Sequence, residues 1–154
     1  MSPASRKFEV RDPNYEQRVR DSFAKQAAMA TMGITLERVE PGEAELVLPF
    51  RGDLTQQNGF LHAGVVTTAM DSACGYAAFT LMEPGASVLS VEFKVNLLAP
   101  ARGALFRAVA RVVRAGRTLT VVSAEMFAHE STRADAPTLV AIFTGTMMAV
   151  REPS

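Results

Sequence analysis

The sequence predicts an α+β domain in which a mainly antiparallel sheet wraps one long apolar helix. Three observations predict it. LTQQNGFLHAGVVTTAMDSACGYAAFTLM, from Leu54 to Met82, holds a single formally charged residue, Asp71, so a helix written there is too apolar to be solvated all round. Four strand-like segments joined by short turns follow it, which favours antiparallel pairing. Two more strand-like segments come before it, behind an extra N-terminal helix.

Residues 1–12 are polar and are read as a flexible N-terminus, and residues 13–151 as a single domain. Pro13 suits a first helical position, and Tyr15, Val19, Phe23 and Ala27 then recur at i+4 spacing. One helix is expected there, stopped by Gly33. GITLERVEPGEAELVLPF reads as two strands about a Pro41-Gly42 turn. The apolar helix is expected from about His62 to Leu81, and Glu83-Pro84-Gly85 breaks the chain after it. In SVLSVEFKVNLLAP, Val91, Phe93, Val95 and Leu97 alternate with Glu92, Lys94 and Asn96, the period of a strand. ALFRAVARVVR and TLTVVSAEMFAHE flank the Ala115-Gly116-Arg117 turn and read as a hairpin. TLVAIFTGTMMAV is the last strand. The sheet therefore has five or six strands, and its outer edge is expected to lie under another subunit, because bare edges invite aggregation.

A chain of 154 residues suits one domain with a sizeable core. A formal net charge of +0 shows no basic excess of the kind a nucleic-acid surface needs. An anionic ligand must then be held by a few local arginines. One cysteine, Cys74, excludes an intramolecular disulfide, fits a reducing compartment and reads as a small packed side chain. His62 and His129 are the two histidines, and no Cys/His cluster has zinc-ligand spacing. MSPASRKFEV lacks the apolar core of a signal peptide, and no apolar run approaches the roughly 20 residues of a membrane span. The expected location is cytoplasmic, away from membranes.

Asp71 poses the functional question. At 100° per residue, Val66, Ala69, Met70, Ala73 and Ala77 share one side of the helix, and Asp71 shares the other with Thr67, Thr68, Gly75 and Ala78. An unpaired carboxylate costs several kcal/mol if buried, so it is either satisfied by water and hydroxyls or kept for chemistry. NGFLHAG supplies a turn at Gly59, His62 near the cap, and the amides of Ala63 and Gly64 in the first turn. Those amides have no intrahelical acceptor and sit at the positive end of the helix dipole. They suit water, or a carbonyl oxygen gaining negative charge. Ala63 and Asp71 are about 12 Å apart along the axis, too far to share one carbonyl. Either they are unrelated, or Asp71 of one subunit meets Ala63 of another across a two-fold axis, giving two sites per dimer.

Gln56, Gly59, His62, Ala63, Gly64 and Asp71 spell Q-x-x-G-x-x-H-A-G-(x)6-D. With SVEFKVNLLAPARG (Ser90 to Gly103) and VVRAGRTLTVVSAEMF (Val112 to Phe127), the stretch from about Gly33 to Val150 resembles the hotdog-fold acyl-CoA thioesterases of the phenylacetic-acid-degradation type. The resemblance implies a hotdog fold, an acyl-CoA substrate, and a homodimer with interface active sites that often doubles to a homotetramer. It implies no metal or redox cofactor, coenzyme A being part of the substrate. Asp71 would be the catalytic carboxylate, as base for water or as nucleophile through a mixed anhydride. The Ala63 amide of the partner's helix, with Gly64 beside it, would polarise the thioester carbonyl. Gln56 would position the carbonyl or the water, Ser90 would orient the water, and His62 would hold the helix start. The usual His-Gly-Gly is His62-Ala63-Gly64 here, so a methyl group narrows the approach. Arg102, Arg114 and Arg117 are candidates for the CoA phosphates, since arginine forks suit phosphate oxygens. Thr118 is placed for a phosphate or pantetheine contact, and Asn58 and Gly59 are counted with the binding residues. The acyl group stays open between an aromatic one, such as phenylacetyl or hydroxyphenylacetyl, and a medium chain. Phe60, Phe79 and Met82 are candidates for its pocket. Two rival readings are a hotdog enoyl-CoA hydratase or dehydratase, whose Asp and His usually sit in a different motif, and a non-catalytic acyl-CoA-binding protein.

Overall fold

The computed structural model describes residues 8–131 and 136–151. In chain order they form α1 (Tyr15–Ala24), α2 (Ala27–Met32), β1 (Thr35–Glu40), β2 (Glu43–Pro49), α3 (Ala63–Phe79), β3 (Ala86–Leu97), β4 (Leu105–Ala115), β5 (Leu119–His129) and β6 (Thr138–Arg151). The six strands make one sheet in the order β1-β2-β4-β5-β6-β3, antiparallel throughout. The sheet curls round α3, which touches β2 through β6. This is the arrangement expected of a hotdog fold. Alanines at 108, 110, 124 and 141 line the inner face of the sheet, all buried, and their small size lets the apolar helix lie close against it.

The N-terminal helix is two helices rather than one. At Gln26 the backbone is extended, with φ −78° and ψ 96°, and α2 begins at the next residue. On a single straight helix Val19 and Met29 would point about 80° apart. The break lets both be buried and turns the Gln26 side chain onto α3, where it accepts a hydrogen bond from Ser72 at 3.2 Å. Gly33 ends α2 at φ 71°. Of the terminal segment 1–12, residues 1–7 lie outside those described; Phe8 packs against the core and Asp12 is buried.

Arg18 on α1 closes the far end of α3. Its guanidinium donates to the carbonyls of Glu83, Phe79 and Met82 at 2.6, 3.1 and 2.7 Å and lies 4.5 Å over the Phe79 ring. A cation there satisfies carbonyls that have no intrahelical donor and opposes the negative end of the dipole. Burial draws the guanidinium pKa down, and the charge of Asp12, 3.3 Å away, works the other way.

β3 precedes β4 in the chain but pairs only with β6, so it ends the sheet. Its alternation is interrupted: the register slips between Ser90 and Glu92, leaving Val91 as an extra residue, which is a β-bulge. Beyond it Phe93 lies opposite Gly145 and stacks on Phe143 at 5.2 Å. A Cβ at Gly145 would come within 2.9 Å of Phe143 and 3.0 Å of the Glu92 carbonyl oxygen, so that close approach requires glycine.

Candidate active site

The start of α3 is built by its own side chains. His62 is the N-cap residue, extended at φ −61° and ψ 138°, and its Nδ1 accepts the Gly64 N–H at 2.9 Å. The imidazole is therefore neutral on that nitrogen. Gly64, expected beside Ala63 as a second donor to a carbonyl oxygen, instead spends its amide on this cap. The Ala63 N–H has no acceptor among the described residues. It opens on a cleft of about 480 Å³ whose walls include Gln56, Asn58 and Phe60 from the preceding loop and Leu97 to Ala101 from the end of β3.

That loop is a tight turn. The Gln56 N–H donates to the Phe60 carbonyl at 2.8 Å, the Gly59 N–H donates to the Gln56 carbonyl at 3.0 Å, and Gln56 Oε1 accepts the Asn58 N–H. Gly59 holds φ 82°, which a side chain would strain. Its part is to make the turn; it is not on the wall of the cleft.

Two turns along α3, half-buried Asp71 meets β3. Ser90 Oγ donates to Asp71 Oδ1 at 2.6 Å and lies 3.3 Å from Met147 Sδ. Among the described residues no Lys, Arg or His forms an ion pair with this carboxylate. Asp71 and Ser90 line a second, smaller cavity of about 70 Å³ together with Gln26, Ser72, Gly75, Tyr76 and Val88. Its floor is hydrogen-bonded: Ser72 donates to Gln26, and the Tyr76 and Ser22 hydroxyls are 3.3 Å apart. Burial pushes the Tyr76 phenol pKa up, against hydrogen bonds from Ser22 and Gln26. Cys74, also buried, has its thiol pushed up by burial and then by the Asp71 charge.

In one protomer, then, Ala63 and Asp71 open onto separate cavities. The structure also sorts the arginines. Arg102 is exposed beside the cleft, its N–H given to the Pro100 carbonyl at 2.8 Å. Arg114, Arg117 and Thr118 lie at the β4–β5 turn, at the other end of the sheet, where the Thr118 carbonyl accepts the Ala149 N–H and Ala149 lies opposite Val88. That is the end where Ser90 meets Asp71. Of the three acyl-pocket candidates, Phe60 lines the cleft, whereas Phe79 and Met82 are buried at the far end of α3. They belong to the aromatic and Arg18 cluster there, with Tyr76 and Phe79 rings 6.3 Å apart. Gln26 carried no signal in the sequence, because its place beside Asp71 depends on the break between α1 and α2. Leu97 to Ala101 belonged to a strand pattern, and only the turn-back of the chain brings them to Ala63.

Among the described residues no group of three or more His, Cys, Asp and Glu side chains is placed to hold a metal ion. Among those residues no helix is long and apolar enough to cross a membrane.

Comparison with known proteins identifies the family and the fold. The profile of the thioesterase superfamily matches residues 58–134, from the turn before α3 to five residues past the end of β5. A solved thioesterase family protein from Silicibacter pomeroyi is 53% identical, with a TM-score of 0.85 over 90% of this chain and 99% of that one. A 1,4-dihydroxy-2-naphthoyl-CoA hydrolase from Listeria monocytogenes is 31% identical over 91 residues, 59% of this chain and 74% of that protein. The PaaI protein of the E. coli phenylacetic acid degradation operon shares the fold, with a TM-score of 0.79 at 18% identity over 89% of this chain and 94% of that one. The chain belongs to the thioesterase superfamily and carries its hotdog fold.

Proposed function

We propose that the protein hydrolyses acyl-CoA thioesters at sites shared by the two protomers of a homodimer. One observation carries the reading: the Asp71–Ser90 pair and the unpartnered Ala63 amide lie toward opposite ends of the same uncovered strand. β3 runs from Ser90, at Asp71, to Leu97, on the wall of the Ala63 cleft. Two copies of β3 paired antiparallel about a two-fold axis near Phe93 put Ser90 of one protomer beside Leu97 of the second. The carboxylate and the amide then face one site. The same axis brings Arg114 and Arg117 of one protomer and Arg102 of the other to that site, where their forks suit the CoA phosphates. Thr118, Asn58 and Gln56 line the approach.

The chemistry follows from the hydrogen bonds. The Ser90 hydroxyl donates its hydrogen bond to Asp71 Oδ1, so its own oxygen is free to accept a hydrogen bond from water. Asp71 takes a proton from that water as its oxygen attacks the thioester carbon. The carbonyl oxygen gains the charge and rests on the Ala63 N–H of the second protomer, at the positive end of its helix. The carbon–sulfur bond breaks, the proton passes from Asp71 to the leaving sulfur, and the products are a free acid and the CoA thiol. This chain's own groups suffice for every step, with no metal or redox cofactor. The family resemblance leaves the acyl group open between an aromatic one, such as phenylacetyl or hydroxyphenylacetyl, and a medium chain, while the small volume beside Asp71 argues for a shorter one. Exposed Leu119, Val121 and Ile142 on the outer face of the sheet suit a pairing of two dimers into a homotetramer. A cytoplasmic setting completes the reading.

Complementation tests it. Asp71→Asn is expected to cut thioester hydrolysis about 1000-fold. Ala63→Pro, which deletes the N–H at a position where helices accept proline, is expected to cut it about 100-fold. Co-expressed, the two variants should recover about a quarter of wild-type activity, because a mixed dimer holds one intact site in two. Full activity of Asp71→Asn, or no recovery in a dimer shown to mix, would overturn the proposal.

A further inference from the structure

Gly75 stands one turn beyond Asp71 on the same face of α3, and both line the small cavity. Glycine inside a helix is unfavourable beside alanine, so something must set against that cost. A Cβ built there meets nothing within 4 Å, and no neighbour in the chain needs the space. The space is open next to the proposed base. Its floor is polar: Ser72 is buried and donates to Gln26, and Tyr76 is 2% exposed with its hydroxyl near Ser22. Val88 supplies the apolar wall. About 70 Å³ is too little for a long chain and more than one water needs.

We infer that the acyl group of the substrate is seated over Gly75 with its far end against Gln26 and Tyr76, so that the site selects short acyl groups carrying a hydrogen-bonding atom. The inference rests on Asp71 being the catalytic carboxylate. Gln26 is then a specificity-determining residue delivered by the α1–α2 break, and Gly75 is what keeps the seat open. Gln26 both accepts from Ser72 and bonds Tyr76, so its amide is held in place before a ligand arrives. An acyl hydroxyl reaching it meets an oriented partner, whereas a methyl group in the same place leaves polar groups facing hydrocarbon, which is penalised.

The test is thiol release from acetyl-, butanoyl-, 3-hydroxybutanoyl- and octanoyl-CoA, with dimer mass and melting temperature measured on the same samples. Wild type should prefer the 3-hydroxybutanoyl ester to the butanoyl ester about tenfold and to the octanoyl ester by more, the discrimination of one well-made hydrogen bond. Gly75→Ala should melt at or above the wild-type temperature and keep the dimer. Its ratio of kcat/KM for the butanoyl over the acetyl ester should fall about tenfold, since a methyl group occupies the seat. Gln26→Leu should abolish the preference for the hydroxyl, the ratio of kcat/KM for the 3-hydroxybutanoyl over the butanoyl ester falling about tenfold. Three results would overturn the inference. Equal losses on all four esters would make the cavity a water site. A lower dimer mass in Gly75→Ala would make the glycine a contact between helices of two protomers. An unchanged ester profile in both variants would leave the seat elsewhere. Asp71→Asn separates this failure from that of the reading beneath it: if Asp71→Asn is inactive and the profiles do not move, the base stands and the seat falls.

Discussion

β1 and β3 both end the sheet, and they meet the problem of an unpaired backbone edge in opposite ways. β1 has six residues, TLERVE, bulges between Leu36 and Arg38, and lies beside α1. Its Arg38 is held by Glu40 and Glu43 at 3.1 and 2.9 Å. Shortness, charge, a bulge and a covering helix are the means by which proteins keep an edge from pairing. β3 has twelve residues, and Leu89, Val91, Phe93 and Leu97 on it are 55, 54, 47 and 57% exposed. The same sequence that guards one edge leaves the other long and apolar. The contrast supports β3 as the proposed seat of a second copy, and the residues proposed for chemistry lie along that edge.

The sharpest way to break the comparison is to give β3 the chemistry of β1. Leu89→Lys with Val91→Lys, both exposed, should turn a dimer into a monomer by sedimentation and lower kcat/KM about 100-fold, because the oxyanion donor then departs with its protomer. The matched change on β1, Thr35→Lys with Glu37→Lys, should leave mass and rate within about twofold. A fully active monomer from the first pair would erase the distinction between the edges.

Ser90→Ala sharpens it next. Loss of the hydroxyl that binds Asp71 should lower kcat about 10- to 100-fold with KM nearly unchanged, as befits a group that orients water rather than binds ester. Arg18→Met comes third and acts on stability. It takes a donor from the Phe79, Met82 and Glu83 carbonyls, of which Phe79 and Glu83 keep a backbone N–H, and should cost about 2 kcal/mol in denaturant titration. Arg18→Lys keeps the charge without the fork and should recover only part of that.

The smallest effect is alkaline. Burial raises both the Cys74 thiol and the Tyr76 phenol above their ordinary pKa. The folded state holds the neutral forms, so the unfolded chain ionises first. Stability is then constant below about pH 8 and falls as pH rises from the ordinary thiol range through the folded pKa values. Between about pH 8 and 10, Cys74→Ala should lose less of its melting temperature than wild type.

Periodicity carried most of the fold, because β2, β4, β5 and β6 each bury a face whose spacing is written in the chain, and α3 is legible as one long apolar run. What it missed depends on contacts between distant residues. The break at Lys25-Gln26 has no Pro or Gly to announce it and exists because Val19, Met29 and Gln26 each find a different neighbour. The bulge at Val91 is set by pairing with β6. At the candidate site Asp71, Ala63 and Ser90 could be singled out by residue type and motif, but the Ser90–Asp71 hydrogen bond could not, because it joins α3 to β3 across 19 residues. That His62 would take the Gly64 amide required the imidazole's rotamer, which no spacing rule gives.

Strand order has a consequence for synthesis. β3 leaves the ribosome before β4 and β5, yet its one neighbour within the chain is β6, which emerges after both. Through that interval an apolar segment of twelve residues has nothing to pair with. Such late, distant pairings slow folding and expose sticky surface. The strand proposed to join two protomers is thus also the chain's most vulnerable stretch while it is being made, and nascent chains stalled before Thr138 should be those that chaperones hold longest.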